Sequence, residues 1–194
     1  MARLFITILS VLAIVLLFSA SSAYASDSVA ESFVRKTCDD ATYIDVCLDT
    51  LLHQAARINS HPKKSTRLAI MATIAEVQTV SSKLENQAKK PKLWTREVAA
   101  LNECGTMIAD SILSLNRAME ESQHLGGGTK RDKQSKRVSL ENDVKNVQDV
   151  ANRCVNDMHV AKVRDVLLTR VEEIMEPLVE LATNSVDLIH HMQF

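Results

Sequence analysis

The sequence predicts an all-α protein: an up-down four-helix bundle with an N-terminal helical hairpin extension and two disulfides. Three observations carry this. Apolar residues recur at i, i+3, i+4 and i+7 through most of the chain, the spacing of helices that bury one face. Aromatic residues are only 4% and prolines three, alanine, leucine and valine are plentiful, and no stretch alternates as a strand does. Four cysteines (Cys38, Cys47, Cys104, Cys154) follow an apolar leader, an even count that suits disulfides in an oxidising compartment.

Residues 1–25 read as a secretory signal peptide. Arg3 supplies the positive start, Leu4 to Phe18 the apolar stretch, and Ala23-Tyr24-Ala25 the A-x-A cleavage signal. The apolar run is short for a membrane span, and small residues rather than a basic flank follow it. Cleavage after Ala25 leaves 26–194 as one domain, with the hairpin at about 28–58 and the bundle at about 66–191. Without Arg3 the formal charge of −1 becomes −2, which argues against a nucleic-acid partner.

Ser26 or Asp27 caps a short helix from Ser28 to Lys36. Cys38 and Cys47 would stand about 13 Å apart on one straight helix, so a bridge between them requires a turn near Asp39 to Thr42. The second helix of the hairpin continues to about Arg57. His61-Pro62-Lys63-Lys64 breaks the chain. Thr66 caps the next helix, Leu68 to about Lys89, with Ile70, Ile74, Val77, Val80 or Ser81, and Leu84 facing inward. Lys90-Pro91-Lys92 ends it. Thr95 caps the helix whose inner stripe is Val98, Leu101, Cys104, Ile108, Ile112, Leu115 and Met119, with Glu97 as an acidic residue of its first turn.

Leu125 to Arg137, with Gly126-Gly127-Gly128 and five basic side chains, reads as a loop that no regular helix crosses. A second cysteine helix follows, with Leu140, Val144, Val147, Ala151, Cys154 and Met158 inward. In an antiparallel pair Cys104 and Cys154 come nearly level, because they lie about twenty and about seventeen residues from the loop. Loop closure alone gives a Cys38–Cys47 bridge about 2.7 kcal/mol and a Cys104–Cys154 bridge about 4 kcal/mol. Spacing by itself leaves three pairings open. The last helix runs from Val160 to about His191 on Val163, Val166, Leu167, Val171, Ile174, Leu178, Leu181, Val186 and Ile189, with a kink expected near Glu173 or Glu176 ahead of Pro177.

Catalytic chemistry is not legible. The six histidines show no metal-ligand spacing, and His190-His191 suits a helix C-terminus. Glu120-Glu121 and Glu172-Glu173 read as solvated surface. There is no G-x-S-x-G, no phosphate loop and no H-E-x-x-H, and cysteines nine and fifty residues apart fit neither redox pairs nor a zinc ribbon. The expectation is a non-enzyme with no metal and no cofactor. Residues 130–137 carry five positive charges against one negative, read first as a solvated loop and second as contact with an anionic partner.

Four motifs occur in order: C-x3-T-Y-x3-C at Cys38–Cys47, L-A-I-M-A at Leu68, R-E-V-A-A-L-N-E-C at Arg96–Cys104 and T-N-S-V-D-L-I at Thr183–Ile189. Together they resemble the plant invertase and pectin methylesterase inhibitor family. The resemblance implies the hairpin-plus-bundle fold, with the first cysteine joined to the second and the third to the fourth. It also implies a secreted inhibitor in the apoplast or cell wall, acting on a carbohydrate-active enzyme by one-to-one occlusion of the substrate cleft. Pectin methylesterase is favoured over acid invertase, and a non-inhibitory extracellular bundle is the third reading. Invertase inhibitors carry a P-K-F loop between the third and fourth cysteines, whereas Pro91-Lys92-Leu93 here precedes the third. The tryptophan and S-A-A-L that usually precede the fourth cysteine in methylesterase inhibitors are missing, with Val147 at the tryptophan's place.

Candidate partner-binding residues, read as outward positions on two adjacent helices, are Glu76, Thr79, Lys83 and Asn86 on one and Glu103, Thr106, Asp110 and Arg117 on the next. Contact of loop 126–137 with anionic pectin is a further expectation.

Overall fold

A computed structural model of the chain describes residues 29–124 and 128–192. The leader at 1–25, the cap at Ser26 or Asp27 and the loop residues 125–127 lie outside the described residues. Regular structure among the described residues is helical throughout. Helix α1 spans 29–38, α2 Ile44–Leu51, a 3-10 turn Leu52–Gln54 and α3 Ala55–Ile58. The four-helix bundle follows as α4 (Pro62–Ala88), α5 and α6 (Thr95–Asp110 and Ile112–Gln123), α7 (Lys130–Val160) and α8 (Asp165–His191).

Several boundaries differ from those expected, each for a local reason. Helix α4 begins at Pro62 rather than beyond it, because a proline at the first helical position gives up an N–H that has no partner there. Thr66 is therefore inside the helix, buried, and donates its hydroxyl to the Pro62 carbonyl (3.2 Å). Trp94, not Thr95, takes the N-cap position of α5. The stripe carrying Cys104 is two helices, interrupted where Ser111 Oγ donates to the Ile108 carbonyl (2.6 Å). The basic segment is not a loop. Thr129 caps α7 reciprocally with Asp132, its N–H reaching Oδ2 at 2.8 Å, so Lys130–Arg137 form the first two turns of a 31-residue helix. Lysine, arginine and glutamine are good helix formers, and the cap outweighs the like-charge crowding. Helix α8 starts at Asp165 instead of Val160, leaving Val163 buried in the turn and Val166 86% exposed rather than in the core. It continues through Pro177, whose missing N–H leaves the Glu173 carbonyl without its helical donor.

The main core runs the length of the bundle and includes Ile70, Val77, Leu84, Leu101, Ile108, Leu115, Leu140, Val147 and Leu178, all fully buried. The Cys104–Cys154 disulfide crosses it, with Cα atoms 5.1 Å apart. A second cluster of Val34, Leu51, Ile58, Ala69 and Leu188 surrounds the Cys38–Cys47 disulfide (Cα–Cα 5.7 Å) and fastens the hairpin to α4 and α8. Fully burying a side chain such as Leu51 or Ile58 contributes about 1.5–3 kcal/mol, so this patch is a substantial part of what docks the hairpin.

Consecutive polar residues near the end of α8 reach three different neighbours. Thr183 Oγ1 accepts from Gln148 Nε2 of α7 (2.6 Å) and Ser185 Oγ lies 3.0 Å from Thr73 Oγ1 of α4. Asn184 accepts the Tyr43 N–H (2.9 Å) and donates to the Tyr43 carbonyl (2.8 Å), while Asp187 accepts the Thr42 N–H (2.8 Å). Successive helical residues point about 100° apart, so a four- or five-residue polar run can bind three elements at once. Two of the motifs singled out in the sequence, T-Y and T-N-S-V-D, thus meet in space.

Candidate functional site

Helices α4 and α5 are antiparallel neighbours whose close approach is set by Gly105. A Cβ there would meet Leu84 Cβ at 3.7 Å, and Ser81 Oγ donates to the Gly105 carbonyl (3.3 Å). The seam between them is a shallow groove of about 380 Å³ lined by Ser81, Glu85, Leu101, Asn102, Gly105, Thr106 and Ala109. Its rim is polar, with Ser81, Glu85, Asn102 and Thr106, which suits the recognition of a hydroxyl-rich partner surface.

The eight expected partner-binding residues do not share this surface. Thr106 lines the groove. Thr79, Asn86 and Asp110 are exposed on the outer faces of their helices. Lys83 pairs with half-buried Glu76 (3.7 Å). These two share the stripe of Gln87, which borders α8, so they turn away from α5. Glu103 lines the cleft on the other flank of α5, beside Asp157 of α7. Arg117 is drawn to α7 by Asp143, with Nη2 to Oδ1 at 2.8 Å. Helical periodicity identifies an outward face but not which neighbour flanks it, and Glu85 and Asn102, each one position round the helix, line the groove beside Thr106. Glu121 was expected to be solvated. It is instead half-buried, its Oε1 accepting from Ser139 Oγ (3.0 Å) and its Oε2 without a hydrogen-bond partner.

One end of the bundle is organised by a carboxylate that reads in sequence as an ordinary first-turn acid. Glu97 is fully buried. Its Oε2 accepts the Trp94 N–H (2.9 Å), its Oε1 the Arg164 N–H (3.3 Å), and the Arg164 guanidinium donates to both oxygens at 2.7 Å. Arg164 also donates to the Lys92 carbonyl (3.2 Å), so a single ion pair ties the α4–α5 turn to the α7–α8 turn. Trp94, 48% exposed, sits with the guanidinium carbons of Arg96 and Arg164 at 4.3 and 4.8 Å from its ring centre. A groove of about 710 Å³ opens beside it, between Gln87, Leu93, Val166 and Arg170. Pro91-Lys92-Leu93 lies in this turn, at the far end of the bundle from Gly128 and Thr129.

The Arg164 guanidinium, helped by the two backbone N–H groups and opposed by burial, lowers the Glu97 pKa from 4.5 to about 2. The folded value lies below the unfolded one. The pair's contribution is therefore complete above about pH 4.5 and is lost as pH falls toward 2. Glu97→Gln is expected to cost about 2–3 kcal/mol at pH 6, allowing for the half-exposed arginine. The gap to the parent protein should narrow at pH 3. Urea unfolding at the two pH values checks this, and an equal gap at both would mean that the charge is not what matters.

No group of three or more histidine, cysteine, aspartate or glutamate side chains that could hold a metal occurs among the described residues. Nor is any described helix long and apolar enough to cross a membrane.

The family profile described as "Plant invertase/pectin methylesterase inhibitor" matches residues 32–188, the hairpin and nearly all of the bundle. The chain is 28% identical over 122 residues to "Pectinesterase inhibitor 3" of Arabidopsis thaliana, covering 61% of this chain and 60% of that protein. It is 26% identical over 129 residues to "Pectinesterase inhibitor 11" of the same plant, covering 66% and 64%. It is 26% identical to the "21 kDa protein" of Daucus carota, over 53% of each chain. The matches thus span roughly three fifths of these relatives' length. No solved structure matches the chain.

Proposed function

Because the chain belongs to the plant invertase/pectin methylesterase inhibitor family, we propose that it is a secreted, non-catalytic inhibitor of a plant cell-wall carbohydrate-active enzyme. The family match across hairpin and bundle together carries this reading. Pectin methylesterase is the favoured target, bound non-covalently one to one across its substrate cleft. Two of the relatives bear the name pectinesterase inhibitor, which supports that choice over acid invertase. Release through the 1–25 leader into the apoplast belongs to the same proposal, and two disulfides suit an oxidising compartment.

The inhibitory surface in this reading is the α4–α5 face. A rigid rod with a polar-rimmed seam loses little conformational entropy on docking, and Glu85, Asn102 and Thr106 present groups that can pair with a cleft shaped for a sugar-acid polymer. Titration of a pectin methylesterase and an acid invertase side by side with the mature protein, at pH 5 and 7, tests the target. Stoichiometric loss of methylesterase activity is expected, with Thr106→Arg weakening inhibition by about tenfold or more through steric and charge conflict. Inhibition of invertase alone would reverse the assignment. Inhibition of neither would leave a non-inhibitory extracellular bundle.

A further inference from the structure

We propose that the groove between the first turns of α7 and the last turn of α8 is a second binding site, for a carboxylate-bearing polysaccharide of the de-esterified polyuronide class. The groove has a volume of about 660 Å³ and is lined by Lys130, Lys133, Gln134, Arg137, His190 and His191, with Met192 at one wall. Lys130, Lys133 and Arg137 stand at i, i+3 and i+7, so they share one face of α7 over about 10 Å. That length meets more than one carboxylate of a polymer, whereas a lone anion would engage only part of it.

The local electrostatics favour an anion. The groove begins at the N-terminus of α7, the positive end of a 31-residue helix. The opposing negative end, at the C-terminus of α8, is covered where Arg137 Nη1 donates to the His190 carbonyl (3.3 Å). Two carboxylates stand nearby, Glu141 and Asp132. Glu141, its side chain 13% exposed, stands behind Arg137 and His190, with Arg137 Nε at 3.8 Å and His190 Nδ1 at 3.4 Å, and offsets part of their charge. Asp132 is held in the α7 cap by Thr129. Among the described residues Lys130 and Lys133 have no carboxylate within salt-bridge distance, whereas Arg137 is paired with Glu141 and donates Nη2 to Gln134 Oε1 (2.7 Å). Two lysines without a carboxylate partner, in a concave site at the positive end of a helix, give the groove a potential that attracts an anion.

The ligand class rests on the proposed function. Hydrolysis of a pectin methyl ester consumes water, releases methanol and a proton, and leaves a carboxylate on the polymer, so anionic sites accumulate where the target enzyme has acted. The groove lies at the opposite end of the bundle from Trp94 and away from the α4–α5 seam, so both sites can be occupied together.

The test compares binding of the mature protein to polygalacturonate, highly methyl-esterified pectin and polyglutamate at low salt. A Lys130→Gln/Lys133→Gln variant is measured alongside, since both side chains are surface residues whose loss leaves the core intact. Binding to polygalacturonate is expected to weaken with added salt and to fall about tenfold in the variant, with esterified pectin not bound and helix content and methylesterase inhibition unchanged. The proposal is overturned by no binding to polygalacturonate or by a variant that binds as well as the parent. Equal binding to polyglutamate also overturns it, because that would assign the groove to an acidic protein surface. Binding to polygalacturonate by a protein that inhibits no methylesterase would keep the groove assignment and sink the proposed function alone.

Discussion

Replacing Cys104 and Cys154 together with alanine should lower the unfolding free energy by about 4 kcal/mol, the largest effect expected of any pair in the chain. The two cysteines are fifty positions apart, so their bridge closes a long loop and removes much of the unfolded chain's freedom. Both are buried in the main core, between the stripes of α5 and α7, and alanine leaves no hydroxyl without a partner there. For a domain of this size the change corresponds to a fall of roughly 10 °C in Tm. Thermal and urea unfolding followed by circular dichroism measure it. The Cys38/Cys47 pair, closing a nine-residue separation, should cost about 2.7 kcal/mol and act mainly on the hairpin. Equal effects from the two pairs would contradict loop closure as the cause.

The second large effect is expected at Asn184, which is 2% exposed and makes both of its hydrogen bonds to the backbone of Tyr43. Alanine would strand a part-buried N–H and carbonyl and leave the hairpin held by its apolar patch and by Asp187 alone. A loss of about 2–3 kcal/mol follows, concentrated in hairpin docking rather than in the bundle. Trypsin should then cut at Arg35, Lys36 and Arg57 while the bundle stays protected, and the Tyr43 amide should exchange faster. Unchanged exchange at Tyr43 would show that the apolar contacts of Leu51, Ile58 and Leu188 suffice without the amide.

Much of this organisation is legible in the residues alone, and the errors have identifiable causes. The inner stripes Val77–Leu84, Leu101–Ile108 and Leu140–Met158 are buried as their spacing predicts, because a helix with one apolar face has only one way to hide it. Helix α7 starts well ahead of Arg137 because Thr129 and Asp132, a capping signature present in the sequence, outweigh the three glycines and five charges around them. Val166 continues an apolar pattern, yet it falls in the first turn of α8, where no neighbouring helix covers it. The candidate interface shows the same limit: Glu103 and Thr106 look equivalent in a helical projection but border different neighbours.

The sequence by itself determined the all-α class, the order of the helices and the family, since these depend on periodicity, composition and ordered local motifs. Only the tertiary structure decided that Glu97 is a buried, ionised link between two turns, that Asn184 meets Tyr43, and that Lys130, Lys133, Arg137 and the paired histidines line one groove. The physical reason is common to all three. A residue's own helix sets the direction of its side chain, but burial and charge depend on what stands opposite. Here that partner is 67 positions away for Glu97 and 141 for Asn184, a separation no local pattern encodes.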